Sequence, residues 1–95
     1  MKPVCVPCQR FFRAKRVGFY FIEGMPTSTD AKPGQTGSDK WRPYKLWVGD
    51  LWECVGCGST IVTGVGLRPI GEHYEADFAL RAKQLGAAQL QVNDC

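Results

Sequence analysis

The spacing of apolar positions changes along the chain, and each change marks an expected element. From Arg10 to Glu23 the run Arg-Phe-Phe-Arg-Ala-Lys-Arg-Val-Gly-Phe-Tyr-Phe-Ile-Glu is dense in aromatic and β-branched residues, the composition of strands that pack one side against something apolar. It predicts one or two strands, broken near Gly18. Between Gly24 and Pro43 stand three glycines, three prolines and five serines or threonines, with Met25 and Trp41 the large apolar residues. That stretch predicts a surface loop. A loop of twenty residues is long for a small domain, which makes it either functional or dispensable. Tyr44–Val48 and Leu51–Cys54 flank Gly49-Asp50, a pair suited to a tight hairpin turn, and Ser59–Val65 reads as a further strand.

The period then lengthens. Tyr74, Phe78, Ala82 and Leu85 recur at helical spacing and predict a helix from about 72 to 85. Glu72, Glu75 and Asp77 fall in its first half, Arg81 and Lys83 in its second, and Gly86 follows, a polarity that complements the helix dipole and supplies a stop. Ala87–Cys95 reads as a short helical turn or a frayed tail. Together these elements predict a small, β-rich α+β fold: antiparallel hairpins, a long inserted loop over 24–43 and a C-terminal α-helix.

Length and composition narrow the class. Ninety-five residues, 44% hydrophobic and 22% charged, suit one soluble globular domain spanning 1–95 and exclude collagen-like, wholly disordered or membrane-spanning chains. The longest uncharged apolar run, Val17–Ile22, is far short of a bilayer crossing. Met1-Lys2 leads into Pro3-Val4-Cys5 with no apolar signal core, so the expectation is an intracellular, cytoplasmic protein without a membrane partner.

Five cysteines are many for this length, and in a reducing compartment such density points to metal more than to disulfides. Cys5 and Cys8 form one Cys-x-x-Cys pair and Cys54 and Cys57 another, while Cys95 stands alone as a free terminal thiol. Both pairs adjoin aromatic-rich segments, a weak internal repeat. A Cys-x-x-Cys turn lets two sulfurs grip one ion while backbone N–H groups partly neutralise them, and two such turns enclose a tetrahedron of four thiolates. The second corner, Cys54-Val-Gly-Cys57-Gly58, has glycine where the chain must curl. The first, Cys5-Val-Pro-Cys8-Gln9, has Gln9 where glycine would be easier. A site of four thiolates and a divalent ion lowers the formal charge from +3 to about +1, so bulk charge names no partner. Its distribution says more: Lys2, Arg10, Arg13, Lys15 and Arg16 all precede the first acid, Glu23.

With these two corners the chain resembles the zinc-ribbon class, whose metal-binding knuckles sit on β-hairpins. The resemblance covers Cys5–Gln9, Cys54–Gly58 and the strands beside them. It implies one structural Zn2+ bound by Cys5, Cys8, Cys54 and Cys57. The departure is spacing: 45 residues separate Cys8 from Cys54, against about 15–20 in the simplest pattern, which is why 24–43 reads as an insertion at a hairpin tip. Leu51-Trp-Glu-Cys54 and Pro69-Ile-Gly-Glu-His-Tyr74 are more loosely similar to small uncharacterised proteins of tailed bacteriophages. That likeness would imply a phage protein that inhibits or redirects a host machine in the host cytoplasm.

The same four sulfurs could instead hold rubredoxin-like iron for electron transfer, or serve thiol–disulfide chemistry. A redox pair is expected at a helix start, and both pairs here abut strand-like sequence. Four thiolates leave no open position for water or substrate. His73, the sole histidine, reads as an ordinary residue near the helix start, and Ser28, Ser38 and Ser59 have no evident base. The expectation is therefore not an enzyme, with no catalytic residues, but a binding module. Nine of the eleven aromatic residues lie between Phe11 and Trp52, so Phe12, Trp41, Trp47 and Trp52 are candidates for a protein-contact surface in an accessory or regulatory protein. The alternative is nucleic acid, held by Arg10, Arg13, Lys15 and Arg16 interleaved with Phe11 and Phe12, a patch that Lys40, Arg42 and Lys45 could extend.

Overall fold

A computed structural model describes residues 2–27, 29–32 and 40–92. The elements are β1 (Val4–Cys5), β2 (Arg10–Phe11), β3 (Arg13–Pro26), β4 (Trp41–Glu53), β5 (Thr60–Thr63), β6 (Gly71–Glu72), α1 (Phe78–Gln84) and β7 (Ala88–Val92). The protein is β-rich, with antiparallel hairpins and one short helix near its C-terminal end. β1 and β2 form a two-stranded sheet; a second sheet runs β5-β4-β3-β7, with β6 paired to β4. No described helix is long and apolar enough to cross a membrane.

The chain divides into two compact units, Met1–Phe19 with Gly49–Val65 and Tyr20–Val48 with Gly66–Cys95. The division follows from two different cores. In the first unit, Cys5, Phe12 and Cys54 are buried together with Cys8 and Trp52 packed against them. In the second, Ile22, Leu46, Phe78 and Ala82 are buried, and Ile70, Leu85 and Ala87 close around them. The first core is largely sulfur and aromatic, the second largely aliphatic.

Several expected boundaries move. β3 runs unbroken through Gly18, whose φ is 73°, and the break falls at Phe12 instead. β3 continues to Pro26 and β4 begins at Trp41, so both ends of the expected 24–43 loop are strand. Thr27 N donates to Lys40 O at 2.7 Å and Lys40 pairs with Asp30. Residue 28 and residues 33–39 of that stretch lie outside the described residues, as does Cys95.

Gly49-Asp50 is not a turn. β4 passes straight through it, and Asp50 pairs with Thr63 on β5. The glycine is needed for close approach: a β-carbon at position 49 would lie 2.6 Å from Val62 Cγ1 and 2.8 Å from the Thr63 carbonyl oxygen. The carbonyl belongs to a paired strand and cannot swing aside. Gly49→Ala is therefore expected to cost about 1–3 kcal/mol by overpacking, read as a lowered Tm. An unchanged or raised Tm, as the better strand propensity of alanine would give, would contradict this.

The expected helix over 72–85 is shorter. Gly71 and Glu72 pair with Leu46 and Lys45 of β4, and His73 N donates to Tyr44 O at 2.9 Å. The backbone is thus committed to the sheet until His73, and a turn over 72–75 intervenes before α1 begins at Phe78. Phe78 and Ala82 are buried as the period required, whereas Tyr74 is exposed. The stop is where the sequence placed it: Gly86 has φ 65°, Gly86 N donates to Lys83 O and Ala87 N to Ala82 O, a Schellman ending. Ala88–Val92 of the expected tail is a strand rather than a helical turn, and residues 93–95 lie outside the described residues. β7 pairs in parallel with β3, Phe21 opposite Ala88 and Ile22 opposite Gln89.

Candidate metal centre

Each Cys-x-x-Cys pair sits where a short hairpin turns back. β1 pairs with β2, Val4 opposite Phe11 and Cys5 opposite Arg10, and Phe12 N donates to Pro3 O at 2.8 Å. The chain between them carries Cys8. On the other side, β4 and β5 end their ladder at Glu53 opposite Thr60, and Cys54 N donates to Ser59 O at 2.8 Å. The two corners share one backbone device. The residue after the second cysteine is left-handed in both, Gln9 at φ 54° and Gly58 at φ 78°. This conformation is natural for glycine and strained for glutamine, the difference the sequence had marked.

The corners bring the Sγ atoms of Cys5, Cys8, Cys54 and Cys57 within 4.8 Å of one another, and Cys5 and Cys57 are 3.9 Å apart. A tetrahedron with metal–sulfur bonds of about 2.3 Å has edges of about 3.8 Å. The cluster is therefore close to the size a four-thiolate ion site requires. All four are free cysteines, so no disulfide joins them. Cys5 and Cys54 are buried, Cys8 is half-buried and Cys57 is exposed, so the site has a closed side packed on Phe12 and Trp52 and an open side at Cys57.

The electrostatics show four thiols crowded together. Cys57 is pulled down from 9.0 to about 6, first by the Ser59 hydroxyl and then by the Ser59 N–H, with the hydroxyl oxygen 3.2 Å from the sulfur. The N–H of Cys57 lowers Cys54, outweighing burial, and that of Gly56 adds to it. Cys8 is pushed up to about 12 by Cys57, Cys54 and Cys5 around it. For Cys5 the Cys8 N–H pulls down, but burial and the Cys54 thiol together outweigh it. The sulfurs divide into two that ionise easily and two that do not, whereas a divalent cation at their centre would favour all four thiolates.

A depressed thiol favours the folded, ionised form. Its contribution is fully present above the ordinary 9.0 and is lost as pH falls through about 6. Protons and metal compete for the same sulfur, so acid releases metal. Ser59→Ala removes the hydroxyl donor and should move half-release of metal to a higher pH, followed by chelator absorbance in an acid titration. Identical release curves for the two proteins would contradict the assigned role of Ser59. The sequence reading weighed Ser59 only as a nucleophile, although its place two positions after Cys57 was the signal for this role.

Arg10 lies beside the cluster. A β-carbon on Gly56 would come within 3.2 Å of Cys8 Sγ and 3.3 Å of Arg10 Nε, so this guanidinium reaches across from the first corner to the second. A cation there offsets the net negative charge that four thiolates and a divalent ion carry. Arg13, Lys15 and Arg16 are all exposed on β3. Lys15 is paired with Glu53 at 3.2 Å, while Arg10, Arg13 and Arg16 have no ion pair among the described residues. Lys40 and Lys45 fall in the other unit, paired with Asp30 and set over the Tyr44 ring respectively.

The candidate contact aromatics divide differently from the expectation. Phe12 and Trp41 are buried, the one in the sulfur core and the other at the start of β4, so neither is a surface anchor. Trp47 and Trp52 are half-buried, and their indole N–H groups donate within the chain, to Glu23 Oε1 at 2.8 Å and Thr63 Oγ1 at 2.7 Å. The exposed ring in this region is Phe11. His73 stacks near Tyr44, with centroids 5.1 Å apart, and the metal-capable cluster among the described residues consists of cysteines alone.

Comparison of the chain with known protein families, with curated proteins and with solved structures gives no match. Its function has to be argued from the site.

Proposed function

We propose that this protein is a non-enzymatic, zinc-ribbon-like binding module in which Cys5, Cys8, Cys54 and Cys57 hold one structural zinc ion. The single observation that carries this reading is the mutual approach of four sulfurs from two hairpin corners. Zinc suits a closed four-thiolate tetrahedron and needs no further ligand. A site filled by four protein sulfurs has no position for substrate, which argues for structure over catalysis. Iron in the same sulfurs remains the other metal, and metal analysis separates the two directly.

The partner the surface favours is nucleic acid. Arg13 and Arg16 are exposed and have no ion pair among the described residues, and the exposed Phe11 lines a groove together with Arg13. Of the protein-contact candidates, Phe12 and Trp41 are buried, and the half-buried Trp47 and Trp52 spend their indole N–H groups within the chain, so the exposed cations and ring support nucleic acid more. A gel shift with mixed-sequence oligonucleotides tests the assignment. Binding should weaken steeply with salt, and Arg13→Ala with Arg16→Ala should abolish the shift while metal content stays at one ion per chain. Binding that survives in the double variant would sink this reading. A companion protein retained through nuclease and high salt would replace it with the contact reading.

A further inference from the structure

The basic face carries an open groove of about 520 Å³ lined by Lys2, Phe11, Phe12, Arg13, Trp52 and Val55. Its residues all belong to the unit that holds the cysteines. Phe12 is buried and Trp52 half-buried, so they form the inner wall. Phe11, Val55, Lys2 and Arg13 are exposed and form the rim. Phe11 is 58% exposed, unusual for a phenylalanine that has a core a few residues away. The ammonium of Lys2 lies over this ring, 4.6 Å from its centroid, a cation–π contact on one face of an exposed aromatic.

Resting on the nucleic-acid reading above, we infer that this groove takes an unpaired base and that the protein prefers single-stranded over duplex nucleic acid. A paired, stacked base offers only its edge to a protein. An unpaired one offers its π-face, which stacks on an aromatic side chain irrespective of sequence. Phe11 supplies that surface when the exposed Lys2 side chain swings from the ring to an adjoining phosphate, with the apolar wall of Phe12, Trp52 and Val55 opposite and Arg13 as the second phosphate cation. Alternation along β3 sets Arg16 on the same sheet face as Ala14, which also lines the groove, about 7 Å further along the strand. Arg16 is therefore the cation on Ala14's face of the strand, three residues beyond Arg13. An anion without a ring, such as an acidic peptide, would use the cations but leave Phe11 and the apolar wall without a partner.

The test uses the full, metal-loaded chain, an oligothymidylate of about a dozen nucleotides and the corresponding duplex, with polyglutamate as the acidic control. The single strand should bind the more tightly and should alter the fluorescence of Trp52, isolated by a Trp52→Phe comparison. Phe11→Ala should weaken single-strand binding roughly 5- to 150-fold and leave duplex binding unchanged, and Phe11→Trp should restore it. Because Phe11 is exposed, zinc content and Tm should be unchanged in both variants. Equal affinity for duplex and single strand, or unaltered single-strand binding by Phe11→Ala, would overturn the base-stacking inference while leaving the nucleic-acid reading in place. Polyglutamate binding with no oligonucleotide binding would overturn both.

Discussion

Replacing Cys54 by serine is expected to abolish stoichiometric metal binding and to unfold the unit built from Met1–Phe19 and Gly49–Val65. Cys54 is fully buried and sits at the centre of that unit's core, with Cys5 and Phe12. The unit has nineteen residues in its first segment and seventeen in its second. Chains below about 40 residues seldom hide enough apolar surface to hold a fold without a metal or a disulfide. Here the sulfurs replace the missing apolar core. A structural zinc site has an apparent binding free energy of about 10–16 kcal/mol at neutral pH, larger than the whole stability of a typical domain. Amide exchange should therefore accelerate across β1, β2 and β5 in Cys54→Ser, and across the same strands when a strong chelator strips the parent protein. Metal retained at one ion per chain, or unchanged protection of those strands, would refute the claim that the metal holds this unit together.

The second large effect is expected at Leu46. Its side chain is fully buried on β4 among Ile22, Phe78 and Ala82, and a β-carbon on Gly71 would lie 3.3 Å from Leu46 Cβ, so the site is tightly packed. Leu46→Ala removes three buried carbons from a wall that has little freedom to collapse and should cost about 2–5 kcal/mol. That corresponds to a fall in Tm of at least about 8 °C for a domain of this size. The four sulfur ligands lie in the other unit, so the variant should still bind metal with the parent stoichiometry. Loss of metal along with the lowered Tm would show that the cysteine cluster depends on the aliphatic core, contrary to this account.

How much of this was legible in the sequence depends on whether the signal was local. The paired cysteines were, because the turn that lets two sulfurs face one ion spans four residues and needs a left-handed residue next, which Gln9 and Gly58 supply. The helix stop at Gly86 was readable for the same reason. Gly49-Asp50 misled because a glycine–aspartate pair has two uses. As a turn it bends the chain; as a close-approach position it lets Val62 and Thr63 pack against a flat strand. Only the neighbouring strand distinguishes them. Tyr74 fitted the helical period, yet the pairing of Gly71 and Glu72 with β4 overrode it, a long-range hydrogen-bond demand invisible in local spacing. The tail misled likewise, since Ala88–Val92 is a strand through its parallel partner in β3.

The sequence reading named both Phe11 and Phe12 and did not separate them. Phe11 and Phe12 are adjacent, and in extended chain adjacent side chains point oppositely, so one had to enter the core and the other face away from it. The sequence alone did not say which. Pairing of Val4 with Phe11 and of Cys5 with Arg10 fixes the outcome: Phe12 joins the sulfur core and Phe11 stays outside. Arg10, Arg13, Lys15 and Arg16 are all exposed, but the pairing of Lys15 with Glu53 and the reach of Arg10 toward Gly56 separate their roles in a way composition does not show.

The most direct test of the central claim is X-ray absorption at the metal edge of the purified chain together with elemental analysis. One zinc per chain surrounded by four sulfurs at about 2.3 Å is expected. A chain with no metal, with a shell containing nitrogen or oxygen, or with Cys5, Cys8, Cys54 and Cys57 joined in disulfides would contradict it.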